Sequence, residues 1–359
     1  MEVVRGYLQS YDWGAHDGLA DWAGHTGGPQ AELWFGTHPN GPSPRVDGSG
    51  PADVDIPILT KLLAAGRPLS IQIHPPEDVA RVAYDRQQTD PDLPQLLSDP
   101  YGKAEILIAI EPFDILEGFR DPQQGADILG LLGSALRPAA QALSASDLPA
   151  AIRLLLAMDA ADARRHAADL PAAMTRAGLD QHAADVMAAV VDSFPDDPGV
   201  FVASLLNART LQPGEAVYVD PGTVHAYVRG LGLEVMNTSD NVLRLGLTSK
   251  TIAVEAALDA LSLQAQPRPC EPSGDSRLHR YAPPDAPFSV DMLTGATLTA
   301  DGGHARTVLC LTGTTRIGAT SLRPGEAVLA AAADPALDIE AEGICVVAQQ
   351  AFAGAAPTG

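Results

Sequence analysis

No aromatic residue occurs between Phe119 and Phe194, and that gap divides the chain. Over residues 123–206 Ala and Leu dominate, and apolar residues recur with helical spacing in LPAAIRLLLAM, ADLPAAMTRAG and HAADVMAAVV. Asp147 and Asp180 stand where helices start, and Gly178 where one stops. The spacing predicts four to six short helices in a compact insert. His166 and His182 lie among charged helical positions without a ligand constellation, so both are expected on the solvated surface. The flanks read differently. IPILTKLL, LSIQIH and ILIAI precede the insert, and AVYVD, HAYVRG, LGLEVM, TVLCLTG, EAVLAAA and ICVVAQQ follow it. These are short apolar runs bounded by turn formers, the mark of strands. LTKLLAAG suits either a helix or a strand entering a turn at Gly66, and the Pro-rich, polar segment 264–289 reads as a linker or long loop. Gly and Pro number 33 and 30 of 359 residues, as many short strands require. The fold class expected is mainly β with an all-α insert.

Charge narrows the partners. There are 45 acidic and 23 basic residues, a formal net charge of −22. Nucleic-acid binding needs a basic face to release phosphate counterions, and anionic membranes attract the same kind of face. Neither partner is expected. With 46% hydrophobic residues the chain is ordinary for a globular protein, so disorder is not expected either. Cys270, Cys310 and Cys345 are far apart and odd in number, unlike a disulfide framework or a cysteine metal site. The N-terminus lacks a basic-then-apolar secretory pattern and no run of about 18 apolar residues occurs, so a cytoplasmic location is expected. Separately, a monomer is expected, though no sequence feature specifies the oligomeric state.

Leu211-Gln-Pro-Gly-Glu-Ala-Val217 recurs as Leu322-Arg-Pro-Gly-Glu-Ala-Val328. Each copy reads as a Pro-Gly turn delivering a strand. The echo is either a shared turn solution or the trace of two barrels on one plan. His225 stands eleven residues after Gly214, whereas Ala336 stands eleven after Gly325. On a shared plan only the first barrel keeps a metal ligand. The corresponding division is a catalytic barrel of residues 1–122 and 207–260, a helical insert of 123–206, and a C-terminal barrel of 261–359 without metal.

The run Gly66-Arg-Pro-Leu-Ser-Ile-Gln72-Ile-His74 carries chemistry. On a strand, Gln72 and His74 share one face while Ile71 and Ile73 share the other. A Gly followed by a ligand-x-His pair at this spacing matches the first metal motif of cupin (jelly-roll) barrels, with Gln in the first His position. Gly214, Gly222 and His225 match the offsets of the second motif, with Pro221 one place late. Glu105, opening ILIAI, is the natural acidic ligand. Two His, one Glu and one Gln amide oxygen suit a borderline ion such as Zn²⁺. A lone strand His is more often structural than a ligand; two motifs in order make the difference here.

Across roughly residues 1–255 the chain resembles the type I mannose-6-phosphate isomerase (phosphomannose isomerase) family. The resemblance rests on YDWG at 11–14, AELWFGTHPNGPS at 31–43, PLSIQIHP at 68–75, KAEILIAIEPFDILEGFR at 103–120 and PGTVHAYVRGLGLEVMNTSDNVLRLGLTSK at 221–250. It implies one zinc per chain held by Gln72, His74, Glu105 and His225, and interconversion of mannose 6-phosphate and fructose 6-phosphate. It also implies active-site cations at Lys103, Arg244 and Lys250, with Trp13, Ser70, Tyr227, Glu234 and Asp240 lining the pocket. Two departures stand out. The family histidine credited with opening the sugar ring is Gly102 here, and Thr-Pro-Lys is Thr248-Ser249-Lys250.

The isomerisation moves a proton between C1 and C2 through an enediol. It needs a base, for which Glu234 and Asp240 are the candidates, and cations for the phosphate and the developing oxyanion. A zinc-bound His74 is a poor free base. Trp34 is expected in the core, with a place beside Trp13 and Tyr227 in a sugar-facing wall as the alternative, and Trp22 in a structural role. The competing readings are an iron-dependent cupin oxygenase, a sugar-phosphate-binding module without catalysis, and an isomerase of drifted substrate choice. The first is disfavoured by Gln72-x-His74 in place of His-x-His, the second by the retained ligands and cations.

Overall fold

One 14-residue strand, Val224–Asn237, organises the first part of the molecule. From Gly230 onward it pairs antiparallel with Ile58–Ala65 on one side and Glu105–Ala109 on the other. Before that point it pairs instead with Gln72–Ile73 and Phe113–Phe119. The change of partners coincides with a bulge between Tyr227 and Arg229. Gly230 has a φ of +146°, and a Cβ there would lie 2.7 Å from the Phe113 backbone, so only glycine fits the crossing. These strands belong to an eleven-stranded sheet that continues through Glu32–Phe35 to Tyr7–Gln9. LTKLLAAG is strand.

Alternation then sorts the side chains. Ile71, Ile73, Leu116, Val224 and Ala226 enter a core shared with the helical segment. Gln72, His225 and Tyr227 alternate with them and emerge on the opposite face. The helices thus roof the outer face of the sheet and leave the inner face for chemistry. Seven helices lie between Pro122 and Ala203, more than the four to six expected, and in four of them Pro at the first or second position starts a new helix after a short turn. Asp121, Asp147, Asp159 and Asp180 each accept backbone N–H groups at a helix start. Gly178 takes a φ of +90° at a stop.

The computed structural model describes residues 1–351, with mainly β structure and ten helices. A seven-stranded sheet runs from Glu2–Arg5 through Glu326–Ala330, Arg306–Cys310, Ile344–Gln350 and Phe288–Thr294 to Leu278–Tyr281 and Ser273–Asp275. A four-stranded sheet lies beside it. Val308, Val328 and Val347 pack in one core cluster, while their neighbours Leu309, Leu329 and Val346 pack in another with Leu33, Leu62, Ile106 and Leu233. The central strands of the seven-stranded sheet are therefore buried on both faces, which explains near-continuous apolar runs such as TVLCL.

Several expectations change. The segment 264–289 contains the strands Arg268–Pro269, Ser273–Asp275 and Leu278–Tyr281, paired along sheet edges. Residues 2–5 pair with Glu326–Leu329, so the first strand lies in the sheet otherwise built from residues 273–350. His166 and His182 are half-buried, and His182 Nε2 lies 3.0 Å from Thr210 Oγ1. Trp22 donates its indole N–H to the Leu311 carbonyl at 2.9 Å, tying the N-terminal segment to the same sheet. Both Pro-Gly turns have glycine at positive φ, +87° at Gly214 and +81° at Gly325, and each leads into a strand. Among the described residues no helix is long and apolar enough to cross a membrane.

Candidate active site

Glu105 is the centre of the inner face. It is 1% exposed, and its two oxygens lie 3.1 Å from His74 Nε2 and His225 Nε2. The other nitrogen of each ring faces a carbonyl: His74 Nδ1 lies 3.0 Å from Asn241 O, and His225 Nδ1 lies 3.3 Å from Thr223 O. A carbonyl only accepts, so each Nδ1 carries the proton. Burial, reinforced by Lys103, lowers the His74 pKa to about 4, which keeps that ring neutral and its Nε2 bare. Lys103 Nζ donates toward that same Nε2 at 3.3 Å. Bare imidazole nitrogens turned toward a carboxylate repel it unless a cation lies between them. The three side chains offer ligand atoms all within 4.8 Å of one another, and Glu105 Oε2 lacks a hydrogen bond of ordinary geometry. The donor set fits a divalent ion of the zinc type. Burial works against charge on Glu105, but Lys103 Nζ at 2.9 Å holds its carboxyl well below the usual range. Tyr227 donates its hydroxyl to Glu105 Oε1 at 2.7 Å, and burial raises its pKa well above normal.

Gln72 pairs in register with His225 on one neighbouring strand and Arg244 on the other, so the three form one row across the sheet. Gln72 and Arg244 line a cavity of about 680 Å³ together with Lys103, Glu105, Tyr227 and Glu234. Trp13, Ser70, Asp240 and Lys250 line it as well, so this cavity brings together every sequence-derived candidate except the two buried histidines at its floor. Burial lowers the Arg244 pKa.

Lining groups that escaped the sequence reading include Lys61, Glu32, Asn40 and Arg67. Lys61 is the cross-strand partner of both Glu234 and Trp34. Its Nζ lies 2.6 Å from Glu234 and 3.6 Å from Glu32, and 5.3 Å from the centre of the Trp34 ring. Trp34 is buried as expected of a core residue, yet it lines the cavity and donates its indole N–H to Glu32 at 2.9 Å. Burial opposes charge on Lys61, but Glu234 and Glu32 keep it protonated, while burial raises the Glu234 pKa despite Lys61. A single charged residue inside the fully buried, largely apolar run ILTKLLAA was the available signal. Arg67, stacked on Phe194, adds a further cation at the rim.

Asp240 sits at the mouth with a side chain 34% exposed, accepting from Asn40 Nδ2 at 2.7 Å with His38 Nε2 at 3.3 Å. Gly102 donates its N–H to Glu77 at 2.8 Å, and a Cβ on it would lie 2.9 Å from the Glu77 nitrogen and 3.3 Å from the Pro75 carbonyl. The space beside it is filled by the backbone that starts the helix Glu77–Thr89.

A family model described as phosphomannose isomerase type I, catalytic domain, matches residues 49–122. The mannose-6-phosphate isomerase of Salmonella typhimurium is 30% identical over 327 residues, covering 81% of this chain and 82% of that protein. The chain belongs to the mannose-6-phosphate isomerase family. The Escherichia coli enzyme of the same name is 28% identical and covers 96% of this chain and 98% of its own. Among solved structures, a mannose 6-phosphate isomerase bound with zinc and yttrium superposes with a TM-score of 0.84 at 25% identity, covering 98% of this chain and 100% of that one. The Salmonella typhimurium enzyme bound to fructose 6-phosphate and zinc superposes at 0.83 with 26% identity and the same coverage.

Proposed function

We propose that the protein is a zinc-dependent aldose–ketose isomerase that interconverts mannose 6-phosphate and fructose 6-phosphate through an enediol. The observation that carries this reading is the turning of two histidine nitrogens onto the Glu105 carboxylate beneath a cavity lined with cations. Gln72, His74, Glu105 and His225 would hold one zinc ion. When bound there, zinc supplies a Lewis acid for the sugar oxygens. Glu234 removes the proton from C2 of the aldose, or C1 of the ketose, and returns it to the neighbouring carbon. Its raised pKa suits a general base, and Lys61 fixes its carboxylate. Lys103 stabilises negative charge developing on O1 and O2, and Arg244 and Lys250 hold the phosphate. Asp240, anchored by Asn40, orients the sugar at the mouth. Trp13, Ser70 and Tyr227 form the walls.

The layout behind this site is a pair of cupin-like barrels. Residues 1–122 and 207–260 make up most of the first, 123–206 roof it, and 261–359, of which 352–359 lie outside the described residues, are assigned to the second, with no metal-ligand cluster among the described residues there. Free, buried Cys270, Cys310 and Cys345 fit a reducing, cytoplasmic setting.

A coupled assay for fructose 6-phosphate tests the activity. Turnover is expected, with loss on chelation and recovery on zinc addition; absence of turnover with zinc present overturns the reading. Glu234→Gln is expected to lower kcat by about 10²–10⁴ and to remove one limb of the pH–rate profile, with Asp240→Asn acting mainly on KM. If both variants keep near-normal kcat, the base lies elsewhere.

A further inference from the structure

A second cavity, of about 320 Å³, lies outside the catalytic one, where the helical segment meets the strand Phe113–Phe119 and the loop at Leu263. Its volume equals that of about ten water molecules in the liquid, at the lower end of the range for small-molecule sites. Phe119, Pro122, Leu143, Leu148, Leu205 and Leu263 supply apolar walls. Two charged side chains line it, Arg120, which is 7% exposed, and the exposed Asp121.

Arg120 has no buried counter-ion, and the acid whose charge acts on it through space is the exposed Asp180. Among the described residues its side chain reaches the Leu206 carbonyl and, at 3.3 Å, the Gln124 amide oxygen, both neutral. Its Nε is buried without a hydrogen-bond partner. The acid beside it, Asp121, is committed to the start of the helix Pro122–Gly130, accepting from the Gln123 and Gln124 nitrogens. A buried guanidinium is costly unless paired, and its planar fork matches a carboxylate. Burial lowers the Arg120 pKa to about 10, which leaves it charged at neutral pH.

We propose that this cavity binds a small carboxylate with a short apolar tail, the carboxylate facing Arg120 and the tail lying among the leucines. The site is separate from the isomerase cavity and shares no lining residue with it. With Asp121 held at the helix start, the guanidinium is the group left to orient a ligand's carboxylate, and the apolar walls take its tail.

The probe is hexanoate, with hexan-1-ol and inorganic phosphate as controls, added to the zinc-loaded full chain with leucine methyl labelling. Hexanoate is expected to shift the methyl resonances of Leu143, Leu148 and Leu205, leaving those of Leu69, Leu96 and Leu247 in the catalytic cavity unmoved, and to bind at least tenfold tighter than hexan-1-ol. Arg120→Met is expected to weaken hexanoate at least tenfold. Because Arg120 also supports the Leu206 carbonyl, Leu263→Glu provides a second variant: this side chain is on an exposed residue, so the fold survives, and a carboxylate at the mouth should weaken hexanoate at least fivefold at low salt. Shifts confined to the catalytic leucines overturn the proposal. So does equal affinity for hexanoate and hexan-1-ol, or hexanoate binding indifferent to Leu263→Glu.

Discussion

At the scale of the residue, the telling position is one where a side chain is missing. Gly102 stands where the resemblance leads one to expect a histidine, and the physical reason is local. The Pro75–Glu77 backbone runs against it, and Glu77 accepts its N–H. Any Cβ there forces the start of a helix to move. Gly102→His is therefore expected to cost about 1–3 kcal/mol through overpacking and to bring no gain in turnover; thermal unfolding and the coupled assay report the two effects. A variant that is both as stable and faster would mean that the space beside Gly102 accepts a catalytic imidazole. The ligand candidates were legible because metal chemistry restricts residue type and strand alternation restricts spacing. Lys61 was not, since its importance comes from cross-strand partners, Glu234 and Trp34, that lie 173 and 27 positions away in sequence. Glu32 and Asn40 were missed for the same reason.

At the scale of the element, the strand Val224–Asn237 shows where periodicity ends. His225 and Tyr227 are odd positions and Glu234 is even, yet all three serve the same site. Strict alternation would put Glu234 on the other face. The bulge between Tyr227 and Arg229 resets the phase, and nothing in the sequence before the structure locates that extra residue. Helix starts were far more legible, because a cap is a local hydrogen bond. Asp180 accepts from Ala183 N at 2.8 Å and opens the helix Gln181–Ser193, which buries Val186, Met187 and Val190. Asp180→Ala is expected to lower the unfolding free energy by about 1 kcal/mol, with Asp180→Asn close to unchanged. Denaturant titration of the two variants makes the check, and equal losses would point to charge in place of capping. The edge strands at 268–281 were read as loop because Pro and polar residues are what sheet edges carry to resist further pairing.

At the scale of the whole molecule, the net charge of −22 is set against a cavity whose lining is formally neutral. Lys61, Arg67, Lys103, Arg244 and Lys250 are matched by Asp12, Glu32, Glu105, Glu234 and Asp240. The protein cations alone therefore do not make this pocket positive, contrary to what their clustering in the motifs suggests. A divalent ion on His74, Glu105 and His225 would supply the excess that an anionic sugar needs, and it would remove the repulsion between bare imidazole nitrogens and the Glu105 carboxylate. Stability and anion affinity should accordingly move together with the metal. The unfolding midpoint of chelated protein is expected to rise as zinc is returned, by the equivalent of about 4 kcal/mol at a thousandfold excess over the dissociation constant. Fructose 6-phosphate, titrated calorimetrically, is expected to bind the zinc-loaded protein at least tenfold tighter than the chelated one. Midpoints and affinities indifferent to zinc would show that the cluster is a buried ion-pair network, and the charge balance of the pocket would then have to come from elsewhere.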